Sequence, residues 1–140
     1  MPNHIGDVWR DSGPTGVYDD IYIVLAVRDD VLIVFPLRDQ SAQQQLRALG
    51  CHALASPPTF NARAILSAYI NGTDWIEFGQ FFDVKLLAFN DLVQRGQMTL
   101  LASVPSNQLC DILECALQSP HLTNAQRHYL IASKSAAGCP

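Results

Sequence analysis

The chain has 140 residues, of which 49% are hydrophobic and 16% are charged, and its formal net charge is −4 at pH 7. This length suits one domain, and the composition excludes an intrinsically disordered chain. The negative net charge disfavours broad electrostatic binding to a polyanion, although it is compatible with a local basic groove.

The N-terminal part of the chain predicts a short strand, a loop and a tight β-hairpin. The first strand should end at residues 8–10, ahead of a loop rich in glycine and proline. Residues 21–28 and 31–37 are rich in β-branched and aromatic side chains, and Asp29 and Asp30 between them suit a tight turn. Both segments are almost continuously apolar, which predicts that they lie at the centre of a closed or two-sided sheet.

The middle of the chain predicts an inserted helix followed by a second hairpin. Residues 41–50 should form the helix, because Ser41 and Gln44 have the spacing of a capping box and a glycine stands at the helix end. After a loop with two prolines, residues 62–70 are expected to form a strand. An Asn-Gly turn should join that strand to a partner at residues 74–82.

The C-terminal part predicts three helices and one strand. Residues 83–94 should form a short helix and residues 98–104 a strand. Ser106 is expected to cap an amphipathic helix that reaches residue 117, with apolar residues at steps of three and four. Thr123 and the glutamine three positions later predict a capping box for a last helix over residues 123–133, and the tail beyond it should fray.

The order of these elements predicts a strongly bent antiparallel sheet with packed helices. Such a domain is a small β-barrel with helices, in the mainly β or the α+β class. Residues 1–120 are expected to form the domain, with the helical insertion near residues 41–50. Residues 121–140 would add a C-terminal helix and tail, which could cover a groove, build a dimer or imitate a bound partner segment.

Cysteine spacing and the absence of targeting signals bear on the compartment. Cys51, Cys110, Cys115 and Cys139 form no Cys-x-x-Cys pair, so we expect reduced, mostly buried thiols rather than a zinc site or a disulfide framework. No apolar run approaches the roughly 18 residues of a membrane helix, and no secretory signal is visible. The sequence therefore predicts a cytoplasmic protein with no membrane partner, no cofactor and no metal.

Several short motifs occur in an order that resembles the MazF/PemK toxin family. They are Gly6-Asp7-Val8-Trp9, a Pro-Thr-Gly loop, "IVLAV", "VFPL", Gln80, Leu87, Gly96-Gln97-Met98 and the segment from Ser106 to Leu117. The resemblance covers roughly residues 5–118. It implies a small SH3-like barrel of the MazF/PemK/CcdB type. It also implies a metal-independent endoribonuclease of a toxin–antitoxin system, which acts as a homodimer on single-stranded RNA and is silenced by an antitoxin.

The chain departs from this family at the two positions that carry its chemistry. Asp19-Asp20 stands where the family has Arg-Pro before the second strand, and Arg38 stands after Pro36-Leu37 in place of threonine or serine. Two aspartates in place of a cation repel a phosphate. Two hypotheses therefore remain: a ribonuclease that has relocated its arginine, or a catalytically inactive binding or regulatory module that acts through protein–protein contacts. A toxin that acts directly on a protein target is a third.

Arg38 is the candidate catalytic residue, because a guanidinium group can bind a phosphate bidentately. Its alternative role is a solvated surface ion pair. Aromatic rings near the first loop could stack on bases of single-stranded RNA, or the tryptophan could close one end of the barrel. The candidate residues for binding nucleic acid or a partner protein are Trp9, Arg10, Thr15, Tyr18 and Arg28.

A thiol–imidazole pair is a further possibility, because His52 follows Cys51 directly. Adjacent side chains usually point apart, however, and no third orienting residue is evident. We therefore favour a structural role for both residues.

Overall fold

The computed structural model describes residues 5–16, 20–38, 49–55, 57–63 and 75–140. The described strands are β1 (Asp7–Asp11), β2 (Asp20–Arg28), β3 (Val31–Arg38), β4 (Gly50–His52), β5 (Thr59–Asn61), β6 (Trp75–Glu77), β7 (Phe82–Lys85) and β8 (Met98–Ser103). The described helices are α1 (Leu86–Gln94), α2 (Ser106–Ala116) and α3 (Asn124–Ala136). Most of the predicted helix at residues 41–50, most of the predicted strand at 62–70 and Tyr18 lie outside the described residues, and Gly50, the predicted helix end, begins β4.

The strands form one antiparallel sheet in the order β4-β5-β6-β3-β2-β1-β8, and β7 also pairs with β3. The two partners share β3 along its length: Val31–Val34 pairs with β7, whereas Leu37 and Arg38 pair with β6. Among the described strands, β4 and β8 lie at opposite ends of the order and do not pair with each other. The expectation of a closed barrel is therefore wrong for these strands, because the chain after β6 returns to β3 instead of linking the two edges. The fold is an open antiparallel sheet with helices, which confirms the α+β class.

The predicted hairpin is present as β2 and β3. Asp29 holds the turn with a φ of 46°, a left-handed conformation that aspartate tolerates better than most residues. The register sets Ile23 opposite Phe35 and Val24 opposite Val34. The first pair faces one hydrophobic cluster and the second pair faces another, because successive strand residues point to opposite sides. Burial on both faces explains the continuous apolar sequence and confirms the prediction of a two-sided sheet.

One face of the sheet carries the principal core, which lies under α2 and α3. Its fully buried members include Phe35, Phe78, Ile112 and Leu130. The rings of Phe35 and Phe78 meet edge to face, with centroids 5.4 Å apart. Leu130 brings the C-terminal helix into this core, so α3 packs on the sheet itself.

The opposite face carries a smaller second core under α1. Its buried members are Trp9, Val24, Leu32, Val34, Phe89 and Met98. Trp9 meets Phe89 of α1 edge to face at a centroid distance of 4.9 Å. The described elements thus form three layers, with α1 on one side of the sheet and α2 and α3 on the other.

Several element boundaries differ from the sequence predictions. Residues 83–85, predicted as the first turn of a helix, belong to β7 instead, so α1 begins at Leu86. The pairing of β7 with the distant strand β3 outweighs the local helical pattern here. Ser106 is the first helical residue of α2 and not its cap, a position that Pro105 occupies without a side-chain hydrogen bond.

The last helix begins as predicted and ends later. Thr123 and Gln126 form the complete capping box, in which each side chain bonds to the other's backbone N–H. The helix then continues to Ala136, three residues beyond the predicted end at 133. The tail is held to the body of the protein, because Cys139 forms a disulfide bond with Cys110.

The four cysteines form two disulfide bonds, Cys51–Cys115 and Cys110–Cys139. Their Cα atoms are 5.5 Å and 5.7 Å apart, within the usual range for bridged residues. The expectation of reduced thiols is therefore wrong. Spacing could not reveal the pairs, because the fold brings β4 against α2 and the chain end against the same helix. None of the described helices is long and apolar enough to cross a membrane.

Candidate functional site

Arg38 lies at the end of β3 in a cleft of about 380 Å³, here called the Arg38 cleft. Its lining residues are Pro36, Arg38, Pro57, Glu77, Gly79, Gln80 and His121. The guanidinium group is exposed, and its Nη2 atom donates a hydrogen bond of 3.1 Å to Oε1 of Gln80. Strand pairing brings Glu77 to the same cleft as Arg38. In this pairing, β6 places Trp75 opposite Arg38 and Ile76 opposite Leu37, and Glu77 follows Ile76.

A network of hydrogen bonds positions the loop that carries His121. Arg127 of α3 donates from Nη1 to the carbonyl of Leu117 and from Nη2 to the carbonyl of Ser119, at 2.5 Å and 3.0 Å. Buried Ser119 donates from its hydroxyl to the carbonyl of Phe78 and accepts from the backbone N–H of His121. These bonds tie the His121 loop to the turn after β6, so the backbone of His121 is held beside the cleft.

Gly79 and Pro57, which both line the cleft, approach each other closely. A Cβ atom at Gly79 would lie 2.8 Å from Cβ and 2.9 Å from Cγ of Pro57. A side chain at this position would therefore push Pro57 away. Glycine is required here by packing, and the close contact fixes one wall of the cleft.

The Arg38 cleft combines three groups that suit acid–base chemistry on an anion. A guanidinium group binds phosphate oxygens, and a carboxylate and an imidazole can transfer protons. Glu77 is half-buried, whereas Arg38 and His121 are exposed to solvent. Sequence reasoning identified Arg38 and, through the family resemblance, Gln80. It treated His121 only as one of four histidines that could act as a general acid, and it did not single out Glu77, because neither lies in a local motif and only the fold brings them to the cleft.

The other candidate arginines do not converge on this cleft. Arg28 lies at the opposite end of the hairpin and pairs with Val31. Arg38 is about 23 Å further along β3, at roughly 3.3 Å per residue. The guanidinium carbon of Arg28 lies 5.0 Å from the ring centre of Tyr129 on α3, a cation–π contact. Arg10 is exposed on β1 and points to the other side of the sheet from Trp9.

The first loop lies against the turn after α1 rather than at the Arg38 cleft. Thr15 is exposed beside a shallow depression that is also lined by Arg95 and Gln97. Ser12 anchors the loop by donating both its N–H and its hydroxyl to the carbonyl of Gln97, at 2.9 Å and 3.1 Å. Tyr18, the remaining candidate of this loop, lies outside the described residues.

Trp9 occupies a position that differs from both of its sequence interpretations. Its side chain is 8% exposed and packs in the second core against Phe89. A ring so buried has little surface for stacking on a base of RNA, and the open sheet has no barrel end for it to close. Trp9 instead forms part of the wall of a second cavity, on the α1 side of the sheet.

The sequence also raised the questions of a thiol–imidazole pair and of a metal site. Cys51 is bonded to Cys115, so it has no thiol to pair with His52. In the part of the chain that the structure describes, no three histidine, cysteine or acidic side chains are grouped as metal ligands would be.

Comparisons of the chain with protein-family models, with curated proteins and with solved structures gave no match. The two cavities and the residues that line them are therefore the features of this protein from which a function can be inferred.

Proposed function

We propose that the Arg38 cleft binds single-stranded RNA and cleaves its phosphodiester bonds without a metal ion. The observation that supports the proposal is that Arg38, Glu77 and His121 line one cleft. Gln80, one of the motif residues of the resemblance to the MazF/PemK family, lines the same cleft and accepts a hydrogen bond from Arg38. The SH3-like fold, the toxin-like role, the homodimer and the antitoxin partner belong to the same proposal.

The proposed reaction assigns one role to each of three side chains. Glu77 accepts the proton of the ribose 2′-hydroxyl as its oxygen attacks the adjacent phosphorus. His121 donates a proton to the 5′-oxygen as the phosphorus–oxygen bond breaks. The products are a 2′,3′-cyclic phosphate and a free 5′-hydroxyl. Arg38 binds the phosphate oxygens, on which negative charge increases in the transition state.

The disulfide bonds bear on where this activity would take place. Disulfides persist in oxidising compartments and are rare in the cytosol, where thiols are kept reduced. Because all four cysteines are paired, we propose an oxidising compartment as the place of action instead of the predicted cytoplasm.

The test is cleavage of a fluorescent single-stranded oligoribonucleotide by the purified, disulfide-intact protein in the presence of EDTA. We expect Arg38→Ala to lower the cleavage rate by about 100-fold or more, because it removes the cation that stabilises the transition state. His121→Ala should lower the rate by a similar factor. Arg28→Ala is the matched control: it removes an exposed arginine from the same hairpin, far from the cleft, and should leave the rate unchanged.

A DNA oligonucleotide of the same sequence completes the design. It lacks the 2′-hydroxyl and should stay intact. Cleavage of DNA at a comparable rate would contradict the mechanism. An equal loss in Arg28→Ala and Arg38→Ala would contradict the assignment of the cleft.

A non-catalytic binding module is the second candidate function. Two observations favour it. Arg28 and Arg38 lie far apart, so they do not form a continuous basic groove for RNA. The net charge of −4 also disfavours binding of a polyanion. Folded wild-type protein that leaves RNA intact under every condition tested would establish this alternative over the first.

A further inference from the structure

A second cavity, here called the Trp9 cavity, opens on the α1 side of the sheet and has a volume of about 260 Å³. Aromatic and aliphatic side chains form its walls, among them Trp9, Tyr22, Val34, Phe82, Phe89 and Met98. Phe89 is 3% exposed and closes the cavity beneath α1, whereas Phe82 is 46% exposed and stands at the mouth. The cavity is therefore apolar inside and open to solvent on one side.

The aromatic side chains of the Trp9 cavity are arranged in two edge-to-face pairs. Trp9 and Phe89 have ring centroids 4.9 Å apart, and Tyr22 and Phe82 have centroids 6.2 Å apart, each pair at an interplanar angle of 90°. The ring of a ligand can add to such walls in the same edge-to-face or offset geometry, so they suit an aromatic ligand.

One carboxylate adds charge to these apolar walls. Asp11 is the sole charged side chain among the described residues that line the cavity. The side-chain amide of Gln97 and the backbone N–H of Gly13 both donate to its Oδ1, at 3.0 Å and 2.8 Å. These two bonds fix the carboxylate at the cavity edge.

A second carboxylate strengthens the negative potential at that edge. Asp20 of β2 lies directly opposite Asp11 of β1 in the sheet register. Side chains in such a pair lie on the same face, about 5 Å apart at Cβ, and like charges there repel each other. The hydroxyl of Tyr22 donates to Asp20 at 3.1 Å, which links this carboxylate to the aromatic wall.

We propose that the Trp9 cavity binds a small aromatic ammonium compound, with its ring among the aromatic side chains and its ammonium group at Asp11. The volume supports a ligand of this size, because a cavity of roughly 150 Å³ already holds benzene and the remainder admits a short carbon chain. The charge supports an ammonium group, which gains charge-assisted hydrogen bonds with a carboxylate. An anion of the same shape would be repelled. This binding activity is independent of the chemistry proposed for the Arg38 cleft.

The test compares three probes of similar shape and different charge: 2-phenylethylammonium, 2-phenylethanol and phenylacetate. Binding to the disulfide-intact protein is measured by isothermal titration calorimetry and by backbone amide chemical shifts. We expect the ammonium compound to bind at least about tenfold more tightly than the alcohol, with shifts centred on β1, β7 and α1, and phenylacetate to bind more weakly than either.

Asp11→Asn isolates the charge. Asparagine keeps an oxygen acceptor for Gln97 and Gly13 but loses the negative charge, so the advantage of the ammonium over the alcohol should fall below about twofold. Asp7→Asn is the matched control, because it removes the same charge from the other end of β1, where Asp7 accepts from the hydroxyl of Ser103. It should leave both affinities unchanged.

A cavity-filling variant gives an independent check if Asp11→Asn fails to fold. Val34 is 5% exposed and lines the cavity, so Val34→Phe should occupy the space and abolish binding of all three probes. Equal affinity for the ammonium and the alcohol in the wild type would overturn the proposal. Chemical shift changes centred on the Arg38 cleft, or undiminished binding to Val34→Phe, would overturn it as well.

Discussion

The two faces of the sheet differ in how completely they are packed. The principal core, under α2 and α3, contains the fully buried Phe35 and Phe78, and both disulfide bonds attach to the same helix that covers it. The second core, under α1, borders the Trp9 cavity, and neither disulfide reaches α1. The comparison suggests a division of labour: one face stabilises the fold, while the other keeps open space for a ligand.

The largest expected effect comes from truncating one phenylalanine on each face. Phe35→Ala should lower the free energy of unfolding by about 4 kcal/mol, because the ring is fully buried between Phe78 and Phe81. Phe89→Ala should cost about 2 kcal/mol, since its ring borders an existing cavity and loses fewer packed neighbours. Urea denaturation of the disulfide-intact variants measures both, and equal losses would contradict the difference between the faces.

Removing each disulfide bond also tests the difference between the two faces, because both bonds attach to α2 and neither reaches α1. The loop closed by Cys51–Cys115 spans 64 residues, so replacing both cysteines by alanine should lower the free energy of unfolding by about 4 kcal/mol. The loop closed by Cys110–Cys139 spans 29 residues, and its removal should cost about 1 kcal/mol less. Urea denaturation gives both values.

Amide hydrogen exchange shows which helices lose protection when a disulfide bond is removed. Amides of α2 and α3 should exchange faster in both double variants, whereas those of α1 should change little.

The wild-type protein, prepared without reductant and with thiols alkylated on lysis, should contain no free thiol. Four free thiols per chain would contradict the disulfide assignment.

The smallest expected effect concerns the capping box of α3. Thr123→Ala should lower the free energy of unfolding by about 1 kcal/mol, because the backbone N–H of Gln126 loses its acceptor. Thr123→Ser keeps the hydroxyl and should be nearly neutral. Thermal unfolding followed by circular dichroism compares them, and a serine variant as unstable as the alanine variant would argue against the cap.

Local patterns in the sequence predicted those elements whose cause is local. The β2–β3 hairpin follows from two apolar runs around Asp29 and Asp30, and the start of α3 follows from the capping box at Thr123. Elements that depend on distant pairing were not predictable in this way. Residues 83–85 were predicted as helix but belong to β7, because they pair with β3.

The candidate sites were predictable only in part, for the same physical reason. Arg38 was identified by its residue type and its place after a strand. Glu77 and His121 could not be joined to it, since they reach the cleft through strand pairing and through the loop that Arg127 and Ser119 hold. The disulfide partners, likewise, are set by the tertiary fold and not by their spacing.

The open sheet has a consequence for how molecules meet in concentrated solution. Among the described strands, β8 pairs with β1 alone, so its outer side presents backbone N–H and C=O groups. Proteins usually protect such an edge with lysine, proline or a bulge. The sequence of β8, MTLLAS, has no charge and no proline, so its protection comes from the shift of register against β1 between Val8 and Trp9, which interrupts the ladder. Restoring a regular register there would expose an unbroken edge, and we would then expect two molecules to join into one continuous sheet as concentration rises.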